Sequence, residues 1–261
     1  MLFRSVFKIP RVDKPPSLED FLEMKPNAAW QGRLAKIENF VQREPSDGKP
    51  ATQRTEGYVG YDAKNFYVIF VCFDSEPGKI RARLGRRENI FDDDVVGVLV
   101  DTFHDRQRAY EFFVNPLGIQ GDAITTEGSN DDFSWDTLWH SKGKLTAQGF
   151  VVWISIPFKS MRFPSADQQT WCFALLRGIT RNNEQAFWPY ITRKVEGFTQ
   201  QMATMEGLEK ISPGRNIQLI PYGVFSAERF RDTRDTPQFK TSNTARVGLD
   251  EIGRASCRER V

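Results

Sequence analysis

The sequence predicts an all-β protein: an antiparallel, jelly-roll-like β-sandwich followed by the truncated start of a β-barrel. Short apolar runs recur along the chain, and Gly, Pro and Asn stand between them. Short strands at this spacing are typical of two antiparallel sheets packed face to face. Helical patterns are few, and we expect only a short helix at Ser17–Met24 and a turn at Phe158–Arg162.

The strand pattern becomes regular from Gly57 onward. Tyr58–Tyr61 and Phe66–Phe73 flank the turn sequence Asp62–Asn65, which predicts a hairpin. The second of these runs is apolar throughout, as in a strand that is buried on both faces. The other strands that we predict are Ala35–Val41, Val95–Val100, Ala109–Val114, Ile119–Thr125, Trp135–Trp139, Lys144–Ala147, Phe150–Ile156, Trp171–Leu176, Phe187–Ile191 and Gln201–Glu206.

Composition excludes several classes of function. The chain has 36 basic and 34 acidic residues among 261, and this balance gives no reason to expect a nucleic-acid partner. Its two histidines, His104 and His140, cannot form a zincin helix, which needs a pair four residues apart. A nucleophile elbow, a phosphate loop and a dinucleotide fingerprint are all missing from the sequence. Cys72 and Cys172 each lie in an apolar run and are predicted to be two buried thiols.

The C-terminal part of the chain has a different pattern. Residues 215–227 alternate over a length that suits a membrane β-strand, which needs about 9–11 residues. A strand at the edge of the sandwich fits the same pattern. The charged segment Glu228–Lys240 and the restart at Thr244–Asp250 predict that this strand belongs to a hairpin.

Both ends of the chain differ in character from the rest. Residues 1–5 and 251–261 resemble translated sequencing adapter, and such segments are excluded from a fold prediction. We therefore expect a gene that is cut at both ends, with its signal peptide outside this sequence. The predicted organisation is a sandwich over residues 6–208, then a junction and the first strands of a truncated β-barrel over residues 209–250.

Four stretches together resemble one family. They are Gly57–Val68, Asp93–Asp101, Tyr110–Gly118 and Ile156–Phe163, and their order and spacing are similar to those of the carbohydrate-binding-module family 9-like domain of bacterial envelope proteins. In those proteins the domain precedes an outer-membrane-type β-barrel. The resemblance implies a jelly-roll-like sandwich in the periplasm or outer membrane of a Gram-negative bacterium, with a glycan ligand and the protein's own C-terminal barrel as partners.

A sugar site needs exposed aromatic rings beside polar groups, because sugar C–H faces stack on rings and hydroxyls bind at the edge. Phe91 comes directly before Asp92, at the mouth of a buried strand, where sugar-binding relatives carry a stacking aromatic residue. Trp188 follows a polar loop and is the predicted second ring, with Phe198 as its rival. Asn115 ends a strand; capping of the following turn is its first predicted role, and a hydroxyl contact is the second.

The resemblance also raises two departures and one metal hypothesis. Phe113 stands where sugar-binding relatives have an arginine, and Trp153 stands where related sequences often have an acidic residue. The acidic run Asp92, Asp93 and Asp94 is a candidate calcium site, although calcium binds about six to eight oxygen ligands and the run offers few.

Three functions remain open from the sequence. The first is a non-catalytic glycan-binding module, which predicts exposed rings that converge at one site and needs no cofactor. The second is a structural or interaction domain that caps an outer-membrane barrel, which predicts a filled site. The third is a glycoside hydrolase or a domain associated with one, which predicts two carboxylates that face each other across a cleft.

Overall fold

The computed structural model describes residues 6–87, 89–214, 217–232 and 238–253, so most of the two adapter-like ends, residues 1–5 and 254–261, lie outside the described residues. The chain divides into two compact units at Pro213–Gly214. Within the described ranges, no helix has the length and apolar character needed to cross a membrane. The strands are β1 (Val6–Lys8), β2 (Ala35–Ile37), β3 (Val41–Glu44), β4 (Thr55–Tyr61), β5 (Asn65–Phe73), β6 (Val95–Asp101), β7 (Arg108–Val114), β8 (Gln120–Thr126), β9 (His140–Thr146), β10 (Gly149–Pro157), β11 (Gln168–Ile179), β12 (Glu184–Trp188), β13 (Ala203–Glu209), β14 (Ile217–Asp232) and β15 (Gln238–Gly253).

The first unit is a sandwich of two sheets, as predicted. One sheet has five strands in the order β2-β4-β5-β10-β9, and the other has eight, with β1-β13-β11-β6-β7-β8 as its main path. Strand β11 is long enough to pair twice along one edge: its first part pairs with β13, and its second part pairs with β12, which in turn pairs with β3. Strand β1 runs parallel to β13, and the other neighbouring strands are antiparallel.

The core between the sheets follows from strand alternation, since successive side chains of a strand point to opposite faces. Val98 and Phe112 of the eight-stranded sheet pack in the same buried cluster as Phe70 and Phe150 of the five-stranded sheet. The alternate residues of β6 and β7, such as Leu99 and Phe113, belong to a second cluster on the outer face of the eight-stranded sheet.

The outer face of the five-stranded sheet is covered by the chain itself. Phe21, Trp30 and Leu34 of the lead-in segment pack on this face. The short 3₁₀ helix Leu18–Phe21 is held at its start by Ser17, whose backbone N–H and hydroxyl both donate to the Asp20 carboxylate. The lead-in segment thus covers the outer face of the five-stranded sheet.

Several sequence predictions about local structure need correction. The predicted strand Ala35–Val41 is two strands, β2 and β3, which are separated by Asn39 with a φ of 66°. The predicted helix Ser17–Met24 is only the 3₁₀ helix Leu18–Phe21. The predicted strand Phe187–Ile191 lies earlier, at Glu184–Trp188, because the chain must turn back from β11 within the polar segment that precedes it.

The predicted strand Trp135–Trp139 is wrong, because this segment forms no regular strand. The expected role of its tryptophans in the core is confirmed all the same. Trp139 is buried with its ring edge-to-face on Phe112 at 5.2 Å between centroids, and Trp135 packs on Tyr110 at 4.9 Å. Cys72 and Cys172 are buried thiols, as predicted.

The second unit is a hairpin. Strands β14 and β15 pair with each other in continuous antiparallel register from Ile217↔Gly253 to Asp232↔Gln238, which confirms the predicted hairpin and extends both strands into the charged segment. On one face, Phe225, Val247 and Leu249 are exposed apolar side chains. The opposite face mixes apolar and charged residues, with Arg246 directly across from Val224.

Candidate functional site

A pocket of about 680 Å³ lies on the outer face of the eight-stranded sheet. Strands β6, β7, β11 and β12 form its floor, and the segments around residues 91, 131 and 198 form its walls. Two kinds of side chain dominate the lining. The rings are Phe91, Phe113, Phe133, Phe187 and Phe198, and the charged groups are Arg43, Glu44, Asp93, Glu111, Asp131 and Glu184.

Three of the rings form one wall. Phe91 packs edge-to-face on Phe113 at 5.4 Å between centroids and on Phe133 at 5.2 Å. Phe113 is buried, whereas the side chain of Phe91 is 47% exposed and Phe133 is also open to solvent. The wall therefore presents two accessible rings that a buried third ring supports.

Gly97 makes room for the buried ring. It lies directly opposite Phe113 on the neighbouring strand and opposite Leu176 on the other side. A Cβ at this position would come within 2.9 Å of the Phe113 ring and within 3.2 Å of the Leu176 Cβ, closer than packed atoms normally approach. A residue without a side chain at 97 thus allows the Phe113 ring to lie over the sheet.

The opposite wall holds the other two rings. Phe187 and Phe198 pack edge-to-face at 5.4 Å, and the Arg43 guanidinium lies over the Phe198 ring at 5.2 Å. Phe198 comes from a loop that Glu127 fixes, since the Glu127 carboxylate accepts hydrogen bonds from the backbone N–H groups of Phe198 and Thr199 at 3.0 and 2.9 Å. Burial alone would raise the pKa of Glu127, but the hydrogen bonds from Thr199 and this backbone outweigh it and hold that pKa low.

Glu111 stands out on the floor of the pocket. It lies on β7 between Tyr110 and Phe112, only 5% exposed, and its Oε2 atom has no hydrogen-bond partner among the described residues. Burial and, to a smaller extent, the charge of the nearby Asp131 carboxylate together raise the pKa of Glu111 to about 8. A buried polar atom without a partner costs free energy, and groups of this kind are more common in functional sites than elsewhere.

Three of the other four carboxylates of the pocket, those of Asp93, Glu184 and Glu44, have partners. Asp93 accepts hydrogen bonds from Arg83 and from Asn115 at 2.8 and 3.0 Å, and these bonds lower its pKa even though burial alone would raise it. Glu184 accepts from the backbone N–H and the hydroxyl of Thr52 at 2.9 and 2.6 Å. Glu44 lies 3.5 Å from the Arg193 guanidinium.

The structure brings together some of the residues that the sequence nominated. Phe91 and Phe198 both line the pocket, on opposite walls. Asp92 does not line it: its side chain is exposed and pairs with Arg83 at 3.3 Å. Asn115 is fully buried, and its Oδ1 atom accepts from the N–H groups of Leu117 and Ile119. The expected turn-capping role of Asn115 is thus observed, and a contact with a ligand hydroxyl is not accessible to it.

The prediction that Trp188 is the second ring of the site needs correction. Its side chain lies across from Leu175 on the inner face of the sheet, where it packs on Phe7 at 5.5 Å and on Phe173 at 6.4 Å between centroids. Its neighbour Phe187 points the other way and lines the pocket. Side chains of a strand point alternately to its two faces. The ring that lines the pocket is therefore that of Phe187, one residue before the predicted Trp188.

The structure does not assemble Asp92, Asp93 and Asp94 as a calcium site. Asp92 and Asp93 contact Arg83, while Asp94 is fully buried, 3.7 Å from Arg177, and accepts a hydrogen bond from the Thr180 backbone. In the part of the chain that the structure describes, no three His, Cys, Asp or Glu side chains are grouped as metal ligands. The three carboxylates thus contact groups of the protein and do not converge on one point.

The two departures from the family pattern fall in different places. Phe113, which stands in the place of an arginine, supplies the buried ring of the pocket. Trp153 lies on the opposite side of the sandwich, packs in the cluster under the lead-in segment, and donates its indole N–H to the Pro16 carbonyl at 2.7 Å. Position 153 is not part of the pocket, so the replacement of an acidic residue by Trp153 does not change the pocket.

Sequence reasoning missed the functional candidates Glu111, Asp131, Phe133 and Phe187. A signal for Glu111 was present: it is a carboxylate inside the apolar run Ala109–Val114, at a position where the alternation predicts burial. The other three depend on which loop and which strand face reach the pocket, and no local pattern carries that information.

Comparisons with known proteins find similarity at the level of structure. No protein-family model and no curated protein matches the sequence. A candidate carbohydrate-binding protein from Bacteroides uniformis superposes with a TM-score of 0.59 at 12% identity, over 78% of this chain and 100% of that one.

A carbohydrate-binding module of family 9 from Caldicellulosiruptor kristjanssonii, in complex with cellotriose, gives a TM-score of 0.52 at 11% identity over 78% of this chain and 95% of that one. The glucose complex of such a module from the same organism gives 0.52 at 11% identity over 81% and 100%. At these identities the likeness concerns the fold. The sandwich of this chain therefore has a fold that resembles the carbohydrate-binding modules of family 9.

Proposed function

We propose that this protein is a non-catalytic glycan-binding module whose ligand occupies the pocket on the outer face of the eight-stranded sheet. One observation carries the proposal: phenylalanine rings stand on two walls of a cavity whose floor holds a carboxylate. Phe91 and Phe133 form one wall and Phe198 the other, with Glu111 between them.

The pocket suits a sugar in size and chemistry. Its volume of about 680 Å³ lies within the range of small-ligand sites, roughly 300–1,000 Å³. Ring faces provide stacking surface for sugar C–H groups, while Glu111, Asn183 and Gln185 offer hydrogen-bonding groups to hydroxyls. A purely structural capping domain would need no open cavity, so the cavity favours binding.

The comparisons add support from outside the molecule. Family 9 modules of similar fold hold cellotriose and glucose. We therefore extend to this chain the class of ligand, a glycan with a stackable ring.

A titration with a matched control tests the proposal. Phe91 and Phe103 are equally exposed phenylalanines, at 47% and 48%, but only Phe91 lines the pocket. A glycan array would identify a ligand, and calorimetry would then compare the variants. We expect Phe91→Ala to weaken binding roughly tenfold, since a stacked ring contributes about 1–1.5 kcal/mol, and Phe103→Ala to leave it unchanged. Equal affinities for both variants, or no glycan bound at all, would contradict the proposal.

Hydrolysis of a glycosidic bond is the second candidate. Glycosidases use two carboxylates, one of them with a raised pKa, and Glu111 and Asp131 both line the pocket, with the pKa of Glu111 raised to about 8. Incubation with oligosaccharides and chromatography of the products tests this function. Product release by the wild type that Glu111→Gln abolishes would favour an enzyme over a binding module.

For the second unit we propose the start of a membrane β-barrel in a protein of the Gram-negative envelope, with the sandwich in the periplasm. The exposed apolar face of the hairpin, with Phe225, Val247 and Leu249, supports this, because barrel strands alternate lipid-facing apolar residues with polar ones. Polarity-sensitive dyes on Val247→Cys and Arg246→Cys, in the gene product reconstituted in lipid vesicles, test it. We expect an apolar signal at 247 and an aqueous one at 246; equal signals would contradict the proposal.

A further inference from the structure

The pocket is acidic, and its charges are not balanced. Its lining holds five carboxylates and one guanidinium, that of Arg43. Asp93, Glu184 and Glu44 are satisfied by groups of the protein. Arg43 lies over the Phe198 ring and acts on Glu127, outside the pocket. The carboxylates that remain are Glu111 on the floor and the exposed Asp131 near it.

Glu111 is the group whose hydrogen-bonding capacity a ligand could satisfy. It is 95% buried, it lines the cavity, and its Oε2 atom has no hydrogen-bond partner among the described residues. Burying a carboxylate without a partner is costly. A group that supplies both a positive charge and N–H donors would remove this cost, because charge-assisted hydrogen bonds are about twice as strong as neutral ones.

The rings around Glu111 suit the same kind of ligand. A cation within about 6 Å of an aromatic centroid is attracted by the ring face, and the pocket already shows one such pair, with the Arg43 guanidinium 5.2 Å from the centre of the Phe198 ring. Phe91 and Phe133 offer accessible rings on the opposite wall. Rings on two walls and a carboxylate on the floor form a site that favours an ammonium group over a neutral one.

We propose that the preferred ligand is a glycan with free amino groups, an unacetylated hexosamine unit whose ammonium binds the Glu111 carboxylate. This inference rests on the proposed glycan-binding function and names its substrate class. A neutral sugar would use the same rings but would leave Glu111 either protonated or bonded to a hydroxyl.

Three β-1,4-linked trisaccharides separate the possibilities, because they differ mainly in the group on carbon 2. They are the glucose trimer with a hydroxyl, the N-acetylglucosamine trimer with a neutral amide, and the glucosamine trimer with an ammonium. Calorimetric titration at mildly acidic pH, where the amine is protonated, should give at least tenfold tighter binding for the glucosamine trimer than for either neutral one. Titration with methylammonium, which carries both the positive charge and N–H donors, measures whether a cation binds without a sugar.

Two variants and one linked measurement locate the effect. Glu111→Gln should bring the preference for the glucosamine trimer to near unity, whereas Asp92→Asn, which removes a charge beside the pocket but not in it, should keep the preference. In the wild type, binding of the ammonium should release up to about one proton as Glu111 ionises. The measured enthalpy should then depend on the ionisation enthalpy of the buffer, and this dependence should vanish in Glu111→Gln.

The outcomes separate this inference from the proposed function. If the glucose trimer binds as tightly as the glucosamine trimer, the inference is wrong and the glycan-binding function stands. If methylammonium binds at Glu111 and no trisaccharide does, the cation site stands and the glycan-binding function is wrong. If nothing binds, or if Glu111→Gln keeps the preference, the assignment of an ammonium to Glu111 is overturned.

Discussion

The rings of Phe91 and Phe113 meet edge-to-face at 5.4 Å between centroids, one ring half-exposed and the other buried in the outer-face cluster of the eight-stranded sheet. The pair divides two tasks between similar side chains. The Phe113 ring fills the space that Gly97 leaves between β6 and β11. It contacts Phe91 on the side away from solvent. Phe91 in turn presents its accessible surface to the pocket.

This division predicts opposite phenotypes for the two phenylalanines. Phe113→Ala should lower the free energy of unfolding by roughly 3–5 kcal/mol, as the loss of a buried ring does, whereas Phe91→Ala should cost less than about 1 kcal/mol. Denaturant unfolding of both variants measures this. If Phe91→Ala destabilises the fold as much as Phe113→Ala and leaves glycan binding untouched, Phe91 is a structural residue and the pocket loses one wall.

Trp188 should behave as a core residue. Its ring packs on Phe7 and Phe173 on the inner face of the sheet, so Trp188→Ala should lower the free energy of unfolding by roughly 2–4 kcal/mol. The dissociation constant per folded molecule should not change. A loss of affinity without a loss of stability would return Trp188 to the binding site.

The buried carboxyl of Glu111 should make stability depend on pH. Its pKa in the folded protein is about 8, above the value of 4.5 for an accessible glutamate. Between these two values the folded state holds a proton that the unfolded state has released, so the free energy of unfolding falls as pH rises through this window and levels off above it. The total loss is up to about 5 kcal/mol, at 1.36 kcal/mol per unit of pKa difference.

Glu111→Gln is the matched control for this effect, since it keeps the shape and removes the titration. Chemical unfolding at several pH values from about 5 to about 9, which covers most of the window between the two pKa values, compares the two proteins. We expect the stability difference between variant and wild type to grow with pH in favour of the variant. A difference that is independent of pH would show that Glu111 is already ionised in the free protein.

Asn115 should matter for stability through four hydrogen bonds. Its amide oxygen accepts from Leu117 and Ile119, and its amide N–H₂ donates to the Arg83 carbonyl and to Asp93. Asn115→Ala removes all four of these hydrogen bonds from a fully buried position, and we expect a loss of at least roughly 2 kcal/mol. Thermal unfolding checks this, with Gln185→Ala, an exposed residue of the pocket lining, as a control that should have little effect on stability.

Limited proteolysis should separate the two units. The hairpin β14–β15 exposes Phe225, Val247 and Leu249, and a two-stranded hairpin is marginally stable by itself. We expect trypsin to cleave after Lys210, which is exposed, to degrade the hairpin, and to leave the sandwich intact. Equal protection of residues 217–253 and of the sandwich would contradict the proposal that the hairpin begins a barrel.

The sequence by itself determined the architecture of this protein. Apolar runs such as Phe66–Phe73 and Phe150–Ile156 are hydrophobic enough to be buried strands in any arrangement, and the turn residues between runs set where strands end. The hairpin after Pro213, the buried thiols and the turn cap at Asn115 follow from local patterns of this kind. The segment Trp135–Trp139 shows the limit, since two tryptophans spaced as in a strand pack in the core from an irregular segment.

The tertiary structure alone decided the site. Phe187 and Trp188 are neighbours with the same aromatic character, and only the pairing of β12 with β11 determines which of them faces the pocket. Phe133 and Phe198 reach the pocket from loops that are far from Phe91 in the chain, and Asp131 approaches Glu111 from the loop that follows β8. Strand alternation tells which residues share a face, but the packing of two sheets and a covering segment decides which face stays open to a ligand.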